Sequence, residues 1–288
     1  MFGRKDGKAV GDKIDYITRV TPYIMPKRDD SLCYMTLYFD EAPLTDYVRE
    51  KRAEGVPMSS LSVVLACYVR MISQMPELNR FVVARKLYAR NSLTISFVVV
   101  HETSRQNFEE TTCKISFNPA DIIYDVARKV DEEVTKIQKS TTDNKTAQVA
   151  NALTKIPGLL SIGVPILMWM DRRGFMPKIV MEASPFHTSA FITNMASLRM
   201  PKLYHHIYNF GTCSQFFSIG EKEKKVEVDK DGNVVSKWVY PFGVVIDERI
   251  ASGSFYAMGL RQMKKYMKDP HLLETPPEEI RWDCDVKY

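Results

Sequence analysis

The stretch that most constrains this chain is residues 239–253, Val-Tyr-Pro-Phe-Gly-Val-Val-Ile-Asp-Glu-Arg-Ile-Ala-Ser-Gly. An apolar run, 242–246, meets three consecutive charges, Asp247, Glu248 and Arg249, and a small-residue turn then closes at Gly253. Phe255, Met258, Met263, Tyr266 and Met267 follow at helical spacing up to Asp269-Pro270. The pattern reads as a buried strand that delivers charges at its end and turns into a helix. Such an element can hold reactive groups rigidly. The plainer alternative is a strand end whose charges are simply solvated.

Upstream, the periodicities predict alternating helices and strands. Residues 1–30 are polar and basic, with Pro22 and Pro26, and read as an irregular arm that packs on the body or on a neighbouring subunit. Residues 33–40 alternate, with Cys33, Met35, Leu37 and Phe39 on one side, as a half-buried strand does. Thr45 is placed to cap a short helix ending near Gly55, and Ser59 or Ser60 opens a stronger one that Pro76 stops. Two strands are expected at 80–88 and 93–101. Asn118-Pro119 supplies a cap and a first-turn proline for a helix carrying Ile122, Val126, Val130 and Val134 on one stripe. A polar turn at 140–145 precedes 147–170, which reads as helical but interrupted at Pro157 and Pro165 and is too apolar to lie uncovered. A strand into a turn is expected at 186–198, another strand at 213–219 after a Gly211 turn, and a hairpin about the turn 229–233. The tail beyond Pro270 reads as surface.

Composition narrows the function classes. The net charge of +5 comes from 40 basic and 35 acidic residues interspersed along 288, which is no nucleic-acid footprint. No apolar run reaches 18 residues, so no membrane span is expected, and the charged start lacks the core of a signal peptide, which makes the cytoplasm the default location. Five dispersed cysteines argue against a disulfide framework and a structural zinc, and no metal is expected. His205-His206 would point to opposite faces of a strand and make a poor metal pair. His101, at a strand end, reads as structural, and Cys213 as a core thiol rather than a nucleophile.

Three segments carry a family likeness. Residues 247–253 resemble the strand-end motif of the chloramphenicol acetyltransferase and 2-oxoacid dehydrogenase acyltransferase superfamily, in which Asp-His-Arg or His-His leads into His-x-x-x-Asp-Gly. Asp247 and Arg249 fall on the flanking Asp and Arg, and Gly253 on the closing Gly. Glu248 stands where that pattern has its catalytic His, and Ser252 where it has Asp or Asn. Thr193-Asn194 resembles the Ser-Asn of the dehydrogenase acyltransferases, Pro76-Glu77-Leu78-Asn79 their Pro-Glu-Leu-Asn, and Val100-His101-Glu102 the strand end of chloramphenicol acetyltransferases. The likeness spans about residues 30–270 and is most specific at 186–220 and 239–268.

The resemblance implies an α/β fold, a mixed sheet with helices on one side, in residues 31–270 between an arm (1–30) and a tail (271–288). It implies a homotrimer with active sites between subunits, and transfer of an acyl group between coenzyme A and an acceptor. No lipoyl domain or Pro/Ala-rich linker is seen in these residues, so a free-standing domain is expected. The family's His abstracts a proton, and the strand-end hydroxyl, here Thr193, donates to the oxyanion. An unperturbed Glu near 4.3 lies about four units below a thiol near 8.5, ~5–6 kcal/mol for complete proton transfer. Burial would have to raise Glu248 for it to serve as base. Glu248, Thr193 and Ser252 are therefore the catalytic candidates, with Asn194, His187, His205 and His206 as substrate-binding ones and Asp247, Arg249 and Gly253 as supports. The competing expectation is an inactive homologue, a trimer binding acyl-CoA or a protein.

Overall fold

The computed structural model describes residues 4–104, 107–139 and 158–288. The first thirty residues are not irregular throughout. Strand β1 (Gly7–Ala9) is followed by helix α1 (Tyr16–Ile24), whose N-cap Asp15 accepts from the Thr18 amide at 3.0 Å. Pro22 sits inside α1, and Tyr16 and Ile24 remain 76% and 74% exposed. Strand β2 (Leu32–Asp40) keeps the expected alternation, with Cys33, Met35 and Leu37 packed toward the core. Helix α2 (Glu41–Ala53) begins before Thr45, which sits one turn inside and donates to the Glu41 carboxylate at 2.9 Å.

Helix α3 (Ser60–Gln74) is capped by Ser59 and is almost wholly buried, the central prop of the helical layer. The expected strand at 80–88 is instead a hairpin of β3 (Phe81–Val83) and β4 (Lys86–Arg90). Its two turn residues, Ala84 and Arg85, both take positive φ (49° and 62°) without the Gly or Asn that usually announces such a turn. β1, β4 and β3 form a small antiparallel sheet. β5 (Leu93–Ser104) pairs with β6 (Asn107–Phe117), a strand without a counterpart in the periodicity reading.

Helix α4 (Ile123–Lys139) starts four residues after Pro119, because Asn118 and Asp121 bond within their own turn. The expected turn at 140–145 and the residues 147–157 lie outside the described residues. Helix α5 (Leu159–Arg173) runs through Pro165 rather than stopping there, and helix α6 (Lys178–Ala183) is short. β7 (Ala190–Asn194), β8 (Gln215–Ile219), the β9 (Glu223–Val228) and β10 (Val234–Asp247) hairpin, and helix α7 (Gly253–Lys268) follow the expected order.

The main sheet runs β2-β10-β8-β7-β5-β6, with β9 added to the early part of β10. β5, β7 and β8 are parallel to their neighbours in that trio and the other pairs are antiparallel. One face packs on α3, α4 and α7 through Phe97, Ile192, Phe217, Phe242 and Val244. The other carries only a small cluster of Phe191, Ile207, Cys213, Phe216 and Val245. The tail is not a surface strip: Leu273 and Val286 are buried, and Asp283 meets the Arg80 guanidinium with two bonds of 2.7 Å.

Candidate functional site

The three charges at the end of β10 have separate fates. Asp247 is fully buried and bidentate with Arg249, at 2.8 and 2.6 Å. Ser31 also donates to Asp247, at 3.1 Å, and the buried Arg28 approaches it at 3.5 Å. Burial pushes the Arg28 guanidinium below its usual range despite that carboxylate. Arg249 closes the knot by donating to the Met25 carbonyl at 3.2 Å. Asp247 and Arg249 thus tie β10 to the segment after α1.

Glu248 is exposed. Its amide donates to the Ser31 carbonyl at 3.0 Å, and the Cys33 thiol donates to its carboxylate at 3.4 Å. Burial first, and then this carboxylate, raise the thiol above its usual range, so Cys33 stays protonated and is no nucleophile near neutrality. The pair lines a cavity of about 770 Å³ on the helix side of the sheet, between β2, α7 and α1. Its walls are mostly apolar, among them Met35, Leu37, Ile246 and Leu260, with Arg261 and Lys264 at one end. Ser252 opens α7 as N-cap but bonds Ser254 at 2.9 Å, and Gly253 follows at the helix start. Among the described residues, neither Ser252 nor any carboxylate orients Glu248.

Thr193 closes β7 on the open face, two residues beyond Phe191. It is 8% exposed, and its buried hydroxyl has no hydrogen-bond partner among the described residues. Leaving such a group unpaired costs about 1–3 kcal/mol. Asn194, on the opposite face, lines a separate cavity of about 230 Å³ with Leu44, Leu61 and Tyr240.

The register separates Thr193 from Glu248. Thr193 stands beside Ser218, and Ser218 beside Gly243, five residues before Glu248 on β10. Five residues of strand are ~17 Å. One chain alone does not bring the hydroxyl and the carboxylate together.

The histidines divide as well. His187 is buried beside Asp171 (3.4 Å) and Ser184 (2.9 Å), in a knot that includes Arg4, 2.7 Å from Asp171. Burial opposes the Asp171 charge, but His187 and Arg4 outweigh it and hold the carboxyl below its usual range. His187 thus sits in a buried polar cluster with Asp171, Arg4 and Ser184. His205 and His206 lie in irregular chain, not on a strand as the sequence suggested. His206 is exposed, whereas His205 stacks on Phe216 at 4.6 Å and buries Nε2 without a partner. Burial, aided by His206, lowers the His205 imidazole below its usual range. The side chain of His101 lies outside those described, and Cys213 is buried in the open-face cluster.

The mixed sheet with its helices on one face is the chloramphenicol acetyltransferase-like α/β fold shared with the catalytic cores of 2-oxoacid dehydrogenase complexes. The chain is similar to a probable dihydrolipoamide acetyltransferase from Listeria monocytogenes (TM-score 0.54, 15% identity, 90% of this chain and 96% of that one). It is similar to the cubic core of a pyruvate dehydrogenase multienzyme complex (0.55, 11%, 89% and 88%) and to a chloramphenicol acetyltransferase (0.53, 9%, 90% and 99%). At these identities the likeness is one of fold. No protein-family model matches the sequence, and no curated protein matches it. Among the described residues, no helix is long and apolar enough to cross a membrane, and no three potential metal ligands gather.

Proposed function

We propose that the protein is a coenzyme A-dependent acyltransferase that works as a homotrimer, with Thr193 as oxyanion donor. The carrying observation is the Thr193 hydroxyl: buried, without a hydrogen-bond partner among the described residues, and held at the end of a core strand. A donor kept unpaired in a dry place suits charge that appears only during reaction. In the reading favoured here, an acceptor hydroxyl or thiol loses its proton and attacks the acyl-CoA carbonyl. The oxyanion leans on Thr193, the carbon–sulfur bond breaks, and the thiolate of coenzyme A takes up a proton. Since Thr193 and Glu248 lie at different ends of the sheet, Glu248 would act across a subunit boundary. Asn194, which turns to the other face, drops to a supporting role.

Two surfaces support assembly. Helix α5 exposes Ile162, Ile166 and Trp169 by half or more, and the open face of the sheet is thinly covered. An apolar helix left this bare needs a cover. Light scattering should give about three times 33.1 kDa; a monomer at micromolar concentration would overturn the interface site. The activity test is a panel of acyl-CoA esters and acceptors followed by free thiol. A cytoplasmic protein without a metal is the accompanying proposal.

A second reading has its own observation. Glu248 is exposed, its contact is a protonated thiol, and Ser252 is turned away to Ser254. That arrangement suits a trimer that binds acyl-CoA or a protein without turnover. Binding of acyl-CoA with no thiol release from any ester would select it.

A further inference from the structure

Residues 200–206 cross the open face of the sheet beside Ser218, the cross-strand neighbour of Thr193. Their path is marked by two glycines: a Cβ at Gly220 would run into the Lys202 backbone, and one at Gly243 into the Leu203 carbonyl. The Leu203 amide donates to Ser218 Oγ at 3.1 Å, and Tyr204 meets the hydroxyl of Thr36. His205 then lies over Phe216, two residues along β8 from the Ser218 that stands beside Thr193. The His205 ring and the Thr193 hydroxyl therefore share one face of the sheet, about 7 Å apart along the strands. Both bury a polar atom that finds no partner among the described residues.

The segment is held mainly by side chains. Met200 is bonded through its amide and its carbonyl, but residues 201–206 make no backbone–backbone hydrogen bond among the described residues. They are kept in place by the Leu203 amide on Ser218 and by Lys202, Tyr204 and His205 against Tyr38, Tyr34 and Phe216. Its two ends differ from it. Arg199, just before, takes φ 55°, a left-handed conformation uncommon outside glycine. Just after, Ile207 is buried, and Arg28 donates to the carbonyls of Tyr208 at 2.6 Å and Gly211 at 3.1 Å. A weakly bonded stretch between a special backbone position and a firm anchor is how a hinged element is built.

We infer that residues 200–206 are a strap that opens to admit a thioester to Thr193, and that His205, carried on it, is the base for that site. Opening frees two groups of complementary use. The Thr193 O–H donates to the thioester oxygen, and His205 Nε2 receives the acceptor's proton as the acceptor attacks the carbonyl. The carbon–sulfur bond then breaks, and the proton passes from His205 to the departing sulfur. A neutral imidazole is the form that can do this, and burial keeps it so. The role of His205 rests on the acyltransferase reading; the opening of the strap does not.

The opening is tested by placing a thiol under the strap. Thr193→Cys is treated with iodoacetamide, and labelling is followed by peptide mass spectrometry against Cys67, which is fully buried in α3 and serves as control within the same molecule. Position 193 should label at least ~10-fold faster than Cys67. Adding Gly243→Ala, which pushes on Leu203, or Ser218→Ala, which removes its anchor, should speed labelling at 193 a further ~5-fold and leave Cys67 unchanged. The second substitution serves if the first disturbs folding. Labelling at 193 no faster than at Cys67 overturns the strap. The base is tested by thiol release from acetyl-CoA across the acceptor panel. His205→Asn should lower turnover ~10²-fold while labelling of Thr193→Cys in the same background stays fast. Unchanged turnover overturns the role of His205 alone. No turnover in the unaltered protein overturns it together with the acyltransferase reading, and the labelling still decides the strap.

Discussion

Two strand ends in this protein carry opposite kinds of polarity. At the end of β10, Asp247 and Arg249 are satisfied by one another together with Ser31, Arg28 and the Met25 carbonyl, and a third charge, Glu248, stands in the open. At the end of β7, a single uncharged hydroxyl is sealed without a partner. The first end is rich in charge and spends it on holding the fold. The second is uncharged, and the Thr193 hydroxyl there is not used up by any partner among the described residues. Unpaired groups in dry surroundings are what a reaction can draw on, whereas paired ions report mainly on architecture. The contrast moves attention from the conspicuous charges to Thr193 and its surroundings.

The largest expected effect tests the structural half of this comparison. Asp247→Ala leaves Arg249 and Arg28 buried without their shared carboxylate, and breaking a buried pair in this way costs about 3–5 kcal/mol. Urea unfolding should register it as a lowered midpoint at unchanged slope. A loss under 1 kcal/mol would mean that water already reaches this knot.

Thr193→Val makes the opposite demand. The substitution removes a hydroxyl that bonds to nothing, so stability should hold or rise by up to ~1 kcal/mol. Turnover, once an acyl-CoA and acceptor pair is in hand, should fall ~10²-fold or more. Destabilisation by 2 kcal/mol would show that the hydroxyl has a partner in solution and remove the main support for its role.

A smaller effect separates the two regions by pH. His205 has an imidazole pKa depressed by burial, so the unfolded chain takes up its proton first. The stability that goes with the neutral ring is complete above the unfolded value, about 6.5. It is lost as pH falls below that value toward the depressed folded one. His205→Phe should flatten the stability profile in this window. An unaltered profile would place the His205 ring in water.

Much of this arrangement was legible beforehand, and the reasons for the rest are physical. The β10–α7 unit and the β9–β10 hairpin announce themselves because a buried strand, an Asp-Gly turn and a helical stripe each have a distinct period. The Asp247–Arg249 pair followed from spacing alone. The β3–β4 turn did not, because Ala84 and Arg85 enter positive φ under tertiary constraint rather than by preference. Strand β6, polar on one side and unremarkable in composition, gained its order from eleven cross-strand partners on β5. The tail looked like surface because what fixes it, Asp283 on Arg80, joins residues two hundred positions apart. The separation of Thr193 from Glu248 was implied by the family resemblance, which puts active sites between subunits, and not by the residues themselves, because sheet register is a long-range property. The orphaned Nε2 of His205 had no signal at all, since burial of one ring nitrogen is set by packing and not by neighbours in sequence.

The smallest expected effect on stability concerns Glu248, and it decides most about function. Glu248 is exposed and its contact with Cys33 is long, so Glu248→Gln should change stability by no more than ~0.5 kcal/mol. If the carboxylate is the working base, the same substitution should abolish acyl transfer. If the base lies on the strap instead, Glu248→Gln should leave turnover within about twofold. Replacing Glu248 by His and Ser252 by Asp sharpens the choice. Ser252 is an N-cap whose side chain bonds none of the helix amides, so Asp there favours the start of α7 by a few tenths of a kcal/mol. The double variant should therefore fold at least as well as the parent. A gain in thiol release from acyl-CoA would mean that the β10 end is a catalytic seat from which only the base is missing. No gain, beside loss of turnover in His205→Asn, would mean that the chemistry has moved to the open face. Little acetyl transfer to chloramphenicol is expected from the unaltered chain in either case, because neither arrangement keeps an imidazole at position 248.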